Sequence, residues 1–107
     1  MKIDILNLEF IDETLRTIVD GIVKDTGLEF TITSLYRIGD SGVHGQLPLR
    51  GIDLRVWAYE IGLAIEKHIN DRWCYDPKRP EKRCAILHDV GQGLHLHVQS
   101  HPNTILI

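Results

Sequence analysis

The sequence predicts an α+β domain with a mainly antiparallel sheet and helices packed on one side of it. Three observations predict this. Leu15, Ile18, Val19, Ile22 and Val23 recur at helical spacing, which makes one apolar stripe. Ile52, Leu54 and Val56 alternate with Gly51, Asp53 and Arg55, as on a half-buried strand. Leu94, Leu96 and Val98 alternate with His95, His97 and Gln99 after the turn Val90-Gly91-Gln92-Gly93. Successive side chains on a strand point to opposite faces. The last pattern therefore sets two imidazoles and an amide on one face, backed by hydrophobic residues on the other.

Element by element, Ile3 to Phe10 reads as a short strand or an extended lead-in. Asp12 is placed to cap the first helix, with Glu13 favourable in its first turn and Gly27 as its stop. Leu28 to Ser34, rich in β-branched residues, reads as a strand. Residues 35–49 contain Gly39, Gly42, Gly45 and Pro48 with Arg37, Asp40, Ser41 and His44. An irregular segment this long in a small domain points to function. Arg50 to Val56 is the next strand. A second helix is expected from Trp57 to about Asn70, with Trp57, Ile61, Ala64, Ile65 and His68 on or near one stripe and His68 structural. Asp71 to Arg83 is a polar connection containing prolines. Cys84 to His88 pairs with the His-x-His strand as a hairpin, and Pro102 closes the last strand.

A chain of 107 residues supports one domain, 1–107, with one modest core. Its net charge of −3 gives no broad footprint for nucleic acid or an anionic membrane. The basic cluster Lys78, Arg79, Lys82 and Arg83 is broken by Pro80 and Glu81 and reads as a solvated loop. No apolar run is long enough to span a bilayer, and the N-terminus lacks a signal-peptide core, so the expected site of synthesis is the cytoplasm. Cys74 and Cys84 lack the close pairing of a zinc ribbon and read as reduced structural thiols, with a disulfide the lesser alternative.

The chemistry-bearing residues are His44, Asp53, His95 and His97. A catalytic zinc takes three protein ligands and leaves a fourth position for water, whose pKa falls to about 7. Ligand types of that kind stand in the long loop, on the strand that ends it, and on the hairpin. Residue spacing alone names no metal.

Thr33-Ser34-Leu35-Tyr36-Arg37 resembles the strand end of the zinc D-Ala-D-Ala carboxypeptidase and L-alanyl-D-glutamate endopeptidase families, whose fold is shared with the hedgehog signalling domain. Ser41-Gly42-Val43-His44, with Leu49-Arg50-Gly51-Ile52-Asp53-Leu54, resembles their ligand motif, and His95-Leu96-His97-Val98 resembles the closing His-x-His of the wider group that includes lysostaphin-type and murein endopeptidases. The resemblance covers roughly residues 12–100. It implies a hedgehog/DD-peptidase-like fold and a Zn2+ ion held by His44, Asp53 and His97. It further implies that His95 stabilises an oxyanion or shuttles a proton, that Arg37 binds a substrate carboxylate, and that Ser41 supports the site. The implied reaction is hydrolysis of a peptide bond in a peptidoglycan stem or cross-link, and a small leaderless enzyme of this type suggests a phage origin and action on the cell wall.

The chain departs from the family pattern in three places. The stretch between His44 and Asp53 is two residues longer than usual, Leu49 replaces a glycine, and Leu94 stands where many members carry a catalytic acid. Asp89 and Glu60 are the alternative acids. Two other functions remain open. One is a metal-holding, inactive domain of the same fold. The other is a nucleotide hydrolase or transferase of the histidine-triad type, suggested by His95-Leu96-His97-Val98-Gln99, with His97 as nucleophile and Gln99 on phosphate. His88 and His101 read as incidental, and the sequence fixes no oligomeric state.

Overall fold

A computed structural model of the chain describes residues 11–26, 32–34, 50–89 and 93–107. The described elements run α1 (Glu13–Thr26), β1 (Ile32–Ser34), β2 (Gly51–Arg55), α2 (Tyr59–Arg72), β3 (Trp73–Cys74), β4 (Ala85–Asp89), β5 (Leu94–Gln99) and β6 (Ile105–Leu106). Four strands form an antiparallel sheet in the order β1-β2-β5-β4, and β3 pairs with β6 in a separate two-stranded sheet. The protein is a small α+β fold in which the His-x-His strand β5 lies between β2 and β4.

The alternation in β2 and β5 builds one side of the core. Ile52 pairs with Val98 and Leu54 with Leu96, and all four side chains are buried. Ala85 and Leu87 of β4 continue that face across β5. Leu15, Ile18, Val19 and Ile22 of α1 join the same core, as their spacing predicts, with Val23 packed at its edge. Asp12 caps α1 by accepting a hydrogen bond from the Leu15 amide at 3.1 Å. Its Oδ2 also accepts from the buried Ser100 hydroxyl at 2.8 Å, which ties the start of α1 to the end of β5.

The second helix is rotated and shifted from its expected position. It spans Tyr59–Arg72, and its buried residues are Gly62, Ile65 and Ile69. Trp57 precedes the helix and is 81% exposed, and Ile61 and Ala64 face outward. Gly62 explains the rotation: a Cβ there would meet the Leu87 side chain at 2.7 Å, so this helix face approaches β4 closely. His68 joins the two helices, as expected of a structural residue. Arg72 donates to its Nδ1, which leaves Nε2 to donate to Asp25 on α1 at 3.0 Å.

Among the described residues β4 is an edge strand, and α2 covers its outward backbone groups. Asn70 accepts from the Ala85 amide and donates to the Ala85 carbonyl, and Glu66 accepts from the Leu87 amide at 2.6 Å. The basic cluster lies in consecutive turns at 76–79 and 79–82, with Lys78, Lys82 and Arg83 exposed, in keeping with a solvated loop. Cys74 and Cys84 are free thiols; burial, reinforced by Cys74, pushes the Cys84 thiol up to about 12, so it packs as a small apolar side chain. The expected strand at 3–10, the Gly27 stop and the 35–49 loop lie outside the described residues, as do residues 90–92 of the hairpin turn.

The turn after β3 is held by a buried carboxylate. The Asp76 side chain accepts from the Lys78 amide and the Arg79 Nε, each at 3.0 Å, and from Asn103. The backbone hydrogen bond from Lys78, with help from Arg79 and Asn103, holds its carboxyl below the ordinary value of 3.8. A carboxylate depressed on folding stabilises the native state above its unfolded pKa and loses that contribution as pH falls toward the folded value. Asp76→Asn is therefore expected to melt below wild type near neutral pH, with the gap closing as the pH drops below 4. Parallel melts from pH 7 to pH 3 check this, and a gap that stays constant with pH contradicts it.

Candidate functional site

The face of the sheet opposite the core carries the polar residues. Directly opposed residues on antiparallel strands share a face, so two rows follow from the register. Asp53 of β2, His97 of β5 and Ile86 of β4 form one row. Arg55, His95 and His88 form the next. Gln99 lies opposite Gly51, which offers no side chain to compete for its space.

Backbone bonds between β2 and β5 bring Asp53 and His97 together. The Ser100 amide donates to the Arg50 carbonyl, and the Val56 amide donates to the Leu94 carbonyl. These bonds fall at the even-numbered positions that flank β2, Arg50 and Val56. Asp53–His97 is thus a non-hydrogen-bonded pair, the kind in which opposed side chains lie closest. The Asp53 Oδ1 and His97 Nδ1 atoms are 2.8 Å apart, and both side chains are about one-sixth exposed. The other ring nitrogen, Nε2, is 3.1 Å from Gln99 Oε1, and Gln99 Nε2 donates to the Arg83 carbonyl at 2.8 Å.

His95 sits beside this pair, two residues along the same face. The His88 and His95 ring centroids are 6.5 Å apart, with the rings tilted by 42°. On its other side, Arg55 lies over the Trp57 ring at 4.7 Å. His88, read from the sequence as incidental, and Arg55 are both neighbours of His95 across the sheet. Their signal is the pairing register, which is hidden until the strands are matched. His101 lies elsewhere, stacked near Tyr75 in the turn held by Asp76.

Of the expected site residues, Asp53, His95 and His97 share one face of the sheet. Arg37, Ser41 and His44 lie outside the described residues. Leu94 belongs to the core-facing side of β5 and packs at the edge of the core. Asp89 pairs with Leu94 and so shares that side, away from His95. Glu60 is an exposed residue in the first turn of α2, whose strand contacts are with the core side of the sheet.

The Asp53–His97 pair fits part of a zinc site in donor chemistry: one imidazole nitrogen and one carboxylate oxygen face each other. Two ligand atoms at ~2.0–2.1 Å from a tetrahedral zinc are roughly 3.3 Å apart. The observed 2.8 Å is about half an ångström short of that spacing. Among the described residues no three His, Cys, Asp or Glu side chains come together as a ligand set. A zinc site built on this pair would need a third ligand from outside the described residues. No helix among the described residues is long and apolar enough to cross a membrane. In comparisons with known proteins, no family model, curated protein or solved structure matches the chain.

Proposed function

We propose that the chain is a zinc-dependent peptidase with a hedgehog/DD-peptidase-like fold that hydrolyses a peptide bond in peptidoglycan stem peptides or cross-links. The observation that carries this reading is the Asp53–His97 contact at 2.8 Å, with His95 next to it on the same polar face. The sheet order agrees with it, because Thr33-Ser34, which leads into the motif containing Arg37, ends beside Asp53, with Ser34 paired to that residue.

Asp53 and His97 would hold the zinc together with His44, and the ion would supply polarisation of the scissile carbonyl. The chain's own residues supply the rest. His95 projects from the same strand face as His97, within reach of groups bound beside it, and serves to move a proton or stabilise the oxyanion. His88 flanks His95 across the strand pair. Arg37 takes a substrate carboxylate through its planar guanidinium.

A second reading, a metal-holding domain without turnover, is favoured by one observation: Leu94 and Asp89 both belong to the core side of the sheet, so neither brings an acid to the polar face. The histidine-triad reading gives roles to His97 and Gln99 but none to Asp53, which faces His97 at 2.8 Å. Release of peptide fragments from purified peptidoglycan separates the readings. For the peptidase, His95→Ala keeps zinc and melting temperature but lowers fragment release by roughly 10²–10⁴-fold, the span of a lost acid–base group. Wild-type protein that holds zinc yet releases nothing favours the binding domain.

A further inference from the structure

We propose that Arg55, held against the ring of Trp57, is a subsite for the free carboxylate of a glutamate in the bound peptide. The proposal rests on the peptidase reading and names what its substrate must carry. The strand register sets Arg55, His95 and His88 side by side on β2, β5 and β4. With strands about 4.8 Å apart, this row crosses roughly 10 Å of the sheet. It contains one permanent cation and two imidazoles, and no carboxylate stands in it. Arg55 and His95, like Asp53 and His97, are an opposed pair without backbone bonds between them, so their side chains start close together.

Trp57 has no part in the core and is 81% exposed. Its contact is with Arg55, whose Cζ lies over the ring at 4.7 Å. An exposed arginine otherwise spreads over many rotamers, and resting on an indole holds its head in one place. Among the described residues, the Arg55 side chain makes no ion pair or hydrogen bond. Its planar fork of N–H donors is thus available to a planar acceptor, and a carboxylate matches that fork with two parallel bonds. Distance then selects the group. Arg55 follows Asp53 by two residues, about 7 Å along the strand. An extended peptide advances roughly 3.3–3.6 Å per residue, so a carboxylate at Arg55 lies about two residues from a bond held over Asp53 and His97. A glutamate joined into a peptide through one carboxyl keeps the other as such a group.

The test is calorimetric binding of two peptides to wild type, Arg55→Gln and Trp57→Ala. One is the tripeptide L-Ala-γ-D-Glu-L-Lys; the other is the same peptide with the free glutamate carboxyl made a carboxamide. Wild type should bind the acid roughly tenfold more tightly than the amide. Arg55→Gln should bind both alike, and Trp57→Ala should discriminate less than wild type because its arginine is no longer held. A wild-type protein that does not discriminate overturns the subsite, and so does a folded Arg55→Gln that keeps the full preference. Either result leaves the peptidase standing if wild type still releases fragments from peptidoglycan. Preference lost in Arg55→Gln, with no release by wild type, keeps the carboxylate subsite and overturns the peptidase. The comparison of the two peptides on wild type needs no variant, so the proposal stays open to refutation even if a variant fails to fold.

Discussion

Asp53→Asn is expected to weaken zinc binding and to lower kcat/KM for peptide release by roughly three orders of magnitude or more, about 4 kcal/mol of transition-state stabilisation. The change is isosteric and keeps an oxygen acceptor toward His97 Nδ1. It removes the negative charge that the proposed zinc site draws on, and neutral amide oxygen is a poor substitute for carboxylate at such a site. The fold should hold. Asp53 occupies the polar face, and its core-facing neighbours Ile52 and Leu54 are untouched. A melting temperature within roughly 5 °C of wild type, as for substitutions away from the core, would show this. Unchanged release and unchanged zinc affinity in a folded Asp53→Asn would remove Asp53 from the site.

Leu96→Ala should have the largest effect on stability. Leu96 is fully buried and lies between Leu54 and Leu87 on the core side of β5. Truncating a buried leucine costs about 2–5 kcal/mol, through lost transfer energy and the cavity left behind. A domain of this size has only about 5–15 kcal/mol in total. The melting temperature should fall by roughly 10–25 °C. Its neighbour His95 faces the other way, and His95→Ala should barely move the melt. A large loss at 96 beside a small one at 95 reports the alternation on which the site depends. Thermal melts of the two variants check it, and similar losses at both positions would contradict the strand's facing.

That alternation was legible in the sequence because a strand has a period of two and the apolar residues Leu94, Leu96 and Val98 declare which face is inward. The same logic gave Ile52, Leu54 and Val56, and the helical period gave the α1 stripe. The second helix starts later than its hydropathy suggests. Trp57 is large and apolar and falls on the helical stripe, whereas Gly62 is the residue that approaches the sheet. Glycine carries no hydropathy signal, and close approach is visible only in three dimensions. The short β3–β6 pair was also missed, since two-residue strands have no periodicity to read. For the site, the shared face of Asp53, His95 and His97 needed two things: strand facing, which is local, and register, which is not. His88 and Arg55 depend on register alone, and the contact of Gln99 with His97 depends on the Arg83 carbonyl that holds the other end of the amide.

The most direct test of the metal centre is elemental analysis of protein purified without a chelating tag, comparing wild type with His44→Ala and His97→Ala. The account predicts about one zinc per wild-type chain and a loss of zinc in both variants. A wild-type protein that carries no zinc, and takes none up when it is supplied, would contradict it.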